Sequence, residues 1–181
     1  MIFDVENTLL LVVDIQEKLL NISCNKEEIS KKSAIICKSA NVLNIPVVVT
    51  EQYPQGLGAT VETLKDVLSD NTAYFEKKTF SALDNQEVLE TIKNTGKKQI
   101  LVCGIETHIC VYQTVYALIK LGYNVTVIKD CCGSRSDDER NEAFRVMQNF
   151  GAEIKTTEMV LFELLKSAKH PNFKEIQALI K

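Results

Sequence analysis

Residues 102–118 read VCGIETHICVYQTVYAL, in which an apolar run over 100–103 breaks at Gly104 and the residues after it open an amphipathic segment. The apolar run is short and β-branched, while the segment beyond it has helical period, so the stretch reads as a strand, a glycine turn and the start of a helix. Cys110 therefore falls at a helix start. The partial positive charge there favours a thiolate, so the position is expected to lower the thiol pKa from its free value of about 8.5. A small buried cysteine without chemistry is the competing reading, and position alone leaves the two even.

The same alternation runs outward in both directions. Apolar or β-branched runs at 8–13, 47–50, 73–75, 99–103, 124–128 and 153–155 are separated by helical-period segments, with Ile29, Ala34, Ile36, Ala40 and Leu43 spaced along 27–43 and Val88, Leu89 and Ile92 in a shorter segment. The segments 109–121 and 137–150 end at Gly122 and Gly151, residues suited to the left-handed turn after a helix. Asp137 and Asp138 lie where carboxylates complement exposed amides, and 158–166 and 172–180 read as two terminal helices. Strands alternating with helices predict an α/β fold, doubly wound and Rossmann-like, in one domain spanning 1–181. In such a sheet ligands bind beyond the carboxyl ends of the strands, so the chemistry is expected just after them.

Composition narrows the function class. The chain has 181 residues, 45% hydrophobic and 25% charged, with a net charge of −3 that offers no attraction to a polyanion, so no nucleic-acid partner is expected. The apolar stretch at 9–13 is too short to span a bilayer, and no basic region precedes a long apolar segment; the expectation is a cytoplasmic protein without a membrane partner. Six cysteines (Cys24, Cys37, Cys103, Cys110, Cys131 and Cys132) read as reduced thiols in a chain long enough to need no bridges, with adjacent Cys131 and Cys132 a weak redox candidate. There is no CxxC, and His108 and His170 are the only histidines, so no zinc site of the usual spacing can be assembled.

Three strand ends carry unusual polarity: Asp14 with Gln16, the pair Lys77 and Lys78, and Cys110. A carboxylate at the edge of an apolar run is partly desolvated, which raises its proton affinity towards the range of a general base. A lysine between a carboxylate and a thiol lets both carry negative charge, which they could not do side by side without a cation. Strand alternation sends adjacent lysines to opposite faces, so one of Lys77 and Lys78 enters the site and the other faces solvent.

These stretches, LLVVDIQ, TEQYPQGLG, EKKTFSAL and CGIETHICVYQT, together resemble the isochorismatase-like cysteine hydrolase superfamily, in particular its isochorismatase domain-containing subgroup. The resemblance covers nearly the whole chain, including CCGSRS and HPNFKEIQALIK. It implies a three-layer fold with a six-stranded parallel sheet and a catalytic triad of Asp14, Lys77 and Cys110. Lys77 is preferred to Lys78 because it keeps the family interval to Ser81. The resemblance also implies a cis peptide between Ile105 and Glu106, and an oxyanion hole made by the backbone N–H groups of Glu106 and Cys110.

Departures from relatives limit the substrate. Nicotinamidases of the superfamily carry an Asp/His metal cluster near the second strand, where this chain reads VVVTEQYPQGLG without histidine; neither a metal nor any other cofactor is expected. Siderophore-pathway isochorismatases generally lack the nucleophilic cysteine, so Cys110 argues against isochorismate itself. Gln16 is expected either to bind substrate or to brace the Asp14 loop, and Tyr53 and Phe80 to wall the pocket or pack. Thr107 is expected to cap the helix, His108 to give local support, and Glu51 to make a loop contact. The functional expectation is a hydrolase acting on a small-molecule amide-type bond through a Cys110 thioester, in a homo-oligomer. A scaffold retaining the fold and a thiol redox sensor are the rivals.

Overall fold

A strand covered on both faces must be apolar at every position, and Thr8–Val13 (TLLLVV) and Gln99–Ile105 (QILVCGI) are buried throughout. They are the first and fourth strands of the computed structural model, which describes residues 3–181. In chain order, β1 (Thr8–Val13) leads to α1 (Glu17–Ile22) and α2 (Lys26–Val42), and β2 (Val47–Gln52) to α3 (Pro54–Leu57) and α4 (Glu62–Lys65). Next, β3 (Ala73–Lys77) leads to α5 (Gln86–Asn94), and β4 (Gln99–Ile105) through a wide turn at Thr107–Val111 to α6 (Tyr112–Lys120). Finally β5 (Asn124–Gly133) leads to α7 (Asp137–Asn149), and β6 (Glu153–Lys155) to α8 (Thr157–Leu165) and α9 (Phe173–Ile180).

The six strands form one parallel sheet in the order β3-β2-β1-β4-β5-β6. Helices cover both faces: α2 packs with α4, α8 and α9 on one, and α6 with α7 on the other. This is the α/β architecture read from the sequence. The chain builds outward from β1 in one direction and from β4 in the other, so a crevice opens between the carboxyl ends of these two central strands. Gly104 closes the sheet immediately below it. It lies opposite Val13 at φ +152°, and a Cβ there would stand 2.1 Å from the Val13 carbonyl oxygen and 2.7 Å from its Cβ. Gly104→Ala must therefore push the two central strands apart, and a loss of about 3 kcal/mol or more is expected in urea unfolding. An unchanged midpoint would show that the strands do not meet this closely.

The strand starts agree with the sequence reading, but four strands run further than their apolar runs, to Gln52, Lys77, Ile105 and Gly133. In β2 and β3 the additional residues stay in register, with Glu51 opposite Glu76 and Gln52 opposite Lys77, whereas between β4 and β5 the register shifts after Val102, so that Gly104 lies opposite Cys132. The helix expected from Ile109 instead begins with a π-type turn, in which the Val111 amide donates to the Glu106 carbonyl at 3.2 Å. The short helices α3 and α4 were not part of the sequence pattern. Among the described residues, no helix is long and apolar enough to cross a membrane.

Candidate active site

Asp14 follows β1 directly and takes the left-handed conformation (φ +53°), which Asp adopts more readily than most residues. Its amide donates to the Thr50 carbonyl at 3.0 Å and its carbonyl accepts from Gln16 at 2.9 Å, so the turn is held by β2 and by its own chain. The Thr50 hydroxyl donates to Oδ1 at 2.7 Å and the Lys77 ammonium to Oδ2 at 2.6 Å. Both oxygens accepting is the pattern of an ionised carboxylate. Lys77 reaches Asp14 from β3 across the intervening β2, a distance of two strand spacings, about 9–10 Å, which a long side chain can bridge.

The Lys77–Asp14 pair is wholly buried, with 0% exposure of either side chain. The ammonium is further held by Gln52 Oε1 at 2.6 Å and by the carbonyls of Thr79 and Phe80 at 3.1 and 3.2 Å. Lys78 is exposed, and its carbonyl accepts from Gln52 Nε2 at 3.0 Å. Alternation thus separates the two lysines, and Lys77 is the one inside. Gln52 and Thr50, which complete this cluster, were missed in the sequence; their signal is that each lies on β2, between the strands carrying the two charges.

Cys110, 5% exposed, lies in the π-type turn beside this pair, where both Asp14 and Lys77 act on its thiol through charge and hydrogen bonding. Burial pushes the thiol up to about 12; the Asp14 charge adds to the rise and Lys77 opposes it. The pKa lowering expected from a helix start is thus overturned, because desolvation and a neighbouring carboxylate outweigh the helix end. Asp14 is also raised, chiefly by burial, against the pull of Lys77, Thr50 and Cys110. The result is a neutral thiol facing a carboxylate with enhanced proton affinity.

The turn carrying Cys110 is joined to the end of β5 by three contacts. The peptide between Ile105 and Glu106 is cis. The Thr107 hydroxyl donates to the Gly133 carbonyl at 2.9 Å, and His108 Nδ1 shares a 3.0 Å hydrogen bond with Ser134 Oγ. Thr107 is therefore not the helix cap expected of it, since its hydroxyl is spent on the neighbouring strand. Arg135 grips the Glu106 carboxylate with Nε at 2.9 Å and Nη2 at 2.6 Å, and these bonds hold Glu106 below the usual carboxylate range. Arg135 is a residue the sequence reading passed over.

Of the two roles open to Gln16, the geometry shows the brace. Its buried amide donates to the carbonyls of Gln52 (3.0 Å) and Gly58 (2.6 Å) and accepts from the Gln52 amide (2.6 Å), which leaves no group directed at a substrate. Glu51 makes a loop contact, accepting from the Thr60 amide and hydroxyl at 2.6 Å each. Tyr53 and Phe80 are half-exposed, and Tyr53 lines a cleft of about 430 Å³ whose wall includes Lys77. A larger cavity of about 620 Å³, bordered by Lys129, Arg140 and Thr156, involves none of Asp14, Lys77 or Cys110. Cys131 and Cys132 are fully buried, with Cys131 Sγ 3.1 Å from the Thr157 hydroxyl. Among the described residues, no three His, Cys, Asp or Glu side chains converge to hold a metal ion.

Residues 8–159, which contain all six strands together with the turn and the charged pair, match the Isochorismatase domain family. The chain belongs to the isochorismatase family. Isochorismatase family protein 1A of Dictyostelium discoideum is 40% identical over 173 residues, covering 93% of this chain and 84% of that protein. The structure of MAR1 ribonuclease from Caenorhabditis elegans superposes with a TM-score of 0.94 at 40% identity, covering 98% of this chain and 91% of that one. YcaC from Pseudomonas aeruginosa, solved with hexane-2,5-diol and covalent acrylamide, superposes with a TM-score of 0.93 at 25% identity, covering 98% and 90%. Membership of the isochorismatase family supports a hydrolase fold for this chain.

Proposed function

We propose that this isochorismatase-family protein is a cofactor-independent cysteine hydrolase of a small amide-type carbon–nitrogen bond. The observation that carries this reading is the fully buried Lys77–Asp14 pair, 2.6 Å apart, acting on the Cys110 thiol at the switch in strand order. Asp14 takes the thiol proton as sulfur attacks the carbonyl carbon, and the negative charge passes from carboxylate to sulfur to carbonyl oxygen. Throughout, Lys77 stays beside the charge, so a water-poor site never carries an uncompensated anion. The Glu106 and Cys110 amides receive the oxyanion. Asp14 returns its proton to the leaving nitrogen as the C–N bond breaks, leaving a Cys110 thioester; it then takes a proton from the attacking water and passes it to the Cys110 sulfur as the C–S bond breaks and the acid leaves.

A thiol raised to about 12 is compatible with this scheme because its proton has a receiver adjacent to it, so no standing thiolate is needed. Acrylamide bonded covalently to the Pseudomonas YcaC is what a nucleophile in such a fold would give with an electrophilic small amide. A polynucleotide is the competing substrate raised by the ribonuclease description of the Caenorhabditis relative; the charge of −3 and a thiol only 5% exposed weigh against it. Release of amine or ammonia from a library of small amides, with single-stranded RNA assayed alongside, tests the choice. Cys110-dependent RNA cleavage without any amide turnover would overturn the proposal.

The pH profile provides a separate check. Because burial raises Asp14, the proposed base protonates above the ordinary carboxylate range, and kcat/KM is expected to fall on the acid side with a midpoint displaced upward. A profile flat over about pH 4 to 8 would remove Asp14 from the proton path.

A further inference from the structure

The start of the turn that carries Cys110 is tethered from one side. Among the described residues, the side chains of Glu106, Thr107 and His108 find their hydrogen-bond partners only in 133–135: Arg135 on Glu106, the Gly133 carbonyl on Thr107, and Ser134 Oγ on His108 Nδ1 at 3.0 Å. That segment has little slack of its own. Gly133 lies opposite Ile105 at the end of the ladder, and a Cβ on it would stand 2.5 Å from Ile29 Cδ1. The Ser134 carbonyl accepts from the Cys24 amide at 2.9 Å, and the Arg135 carbonyl accepts from the Cys24 thiol at 3.3 Å. The tethers differ in shielding, because Arg135 is 60% exposed and its bonds compete with water, whereas Thr107 and Ser134 are wholly buried. Of the two shielded tethers, the one on His108 stands nearer to Cys110, two residues away.

From this arrangement we infer that Ser134 and His108 are positioning residues of the site, and that the bond at Nδ1 fixes the turn so that the Cys110 thiol stays within reach of Asp14 and Lys77. This rests on the cysteine-hydrolase reading above. Side chains two apart on a helical turn do not face each other, so His108 acts through the backbone and is not a catalytic residue. The reach is decisive, since a displacement of about 1 Å at a reacting group can cost about 10²-fold in rate. An imidazole can donate or accept at Nδ1 and a hydroxyl complements either, so the tether holds in both tautomers and in the imidazolium.

The test is the alkylation of Cys110 by iodoacetamide from about pH 5 to 10, read by peptide mass spectrometry. The charged groups acting on the thiol are Asp14 from the end of β1 and Lys77 from β3, and Arg135 and His108 act on Glu106 at the start of the turn. In the native protein Asp14 accepts the proton as sulfur joins the methylene carbon and iodide leaves, so the rate is expected to level off well below the free-thiol value of about 8.5. In His108→Ala and Ser134→Ala the neutral-pH rate is expected to fall by about tenfold or more, with an inflection near 8.5 in its place. Asparagine puts a donor and an acceptor close to where Nδ1 stood and glutamine puts them nearer to Nε2, so His108→Asn should recover the native profile and His108→Gln should not. Urea midpoints that drop while the profile keeps its native form would show a structural role only and overturn the inference, as would an asparagine variant no better than alanine. A native Cys110 that labels with the free-thiol inflection, or not at all, would overturn the hydrolase reading and this inference with it. A native profile as described that survives both alanine substitutions overturns the positioning role alone.

Discussion

Cys110→Ala is expected to abolish turnover, with kcat/KM falling by about 10⁴-fold or more, while the protein stays folded. Such a factor corresponds to about 5.4 kcal/mol of lost transition-state stabilisation, far beyond what a change in packing at one small side chain could produce. The distinction matters because Cys110 is also a core residue, and a variant that merely unfolded would lose activity without informing on chemistry. Unfolding midpoints within a few degrees of the native protein, together with the activity loss, isolate the sulfur. Cys110→Ser is expected to be nearly as inactive, since Asp14 must then deprotonate a far weaker acid. A decrease of less than about tenfold in the alanine variant would exclude the covalent route.

Lys77→Met is expected to damage stability and activity together. Removing one partner of a buried pair leaves the other charge uncompensated, at a cost of about 3–5 kcal/mol. Asp14 can escape the cost only by taking up a proton. Its folded pKa, already raised, would rise further, so the defect appears as pH passes above the unfolded carboxylate value and is relieved as pH falls through the folded one. Urea unfolding of this variant and the native protein near neutral and at mildly acidic pH should therefore show a gap that narrows on acidification. The double variant Asp14→Asn with Lys77→Met removes both charges and keeps an acceptor for Thr50; most of the lost stability should return, with no return of turnover. A single-variant loss below about 1 kcal/mol at neutral pH would contradict the buried pair.

The sequence reading and the structure part company at identifiable places. All six strands start where the sequence runs start, and for the central β1 and β4 this follows because strands buried on both faces demand continuous apolar sequence. Two of the four that end later, β2 and β3, do so because Glu51, Gln52, Glu76 and Lys77 are polar residues still paired in the ladder; there hydrophobicity stops at the edge of the core while pairing continues into the site. The pKa direction at Cys110 failed for a related reason. A helix end is visible locally, but desolvation and the approach of Asp14 come from segments about a hundred residues away. Thr50 and Gln52 were passed over because each is an ordinary polar residue until a neighbouring segment brings a charged partner to it, and Arg135 because its partner Glu106 comes from the distant turn after β4.

By itself, the sequence determined the alternating strands and helices and the placing of Asp14, Lys77 and Cys110 at strand ends, since these follow from period, glycine turns and the switch from apolar to polar residues. Between Lys77 and Lys78 the resemblance already favoured Lys77, and the tertiary structure supplied its 2.6 Å contact with Asp14; the tertiary structure alone decided that Gln16 braces the backbone and that Arg135 pairs with Glu106. The physical reason is that strand order and register, which no local pattern encodes, set the distances on which electrostatics and desolvation depend.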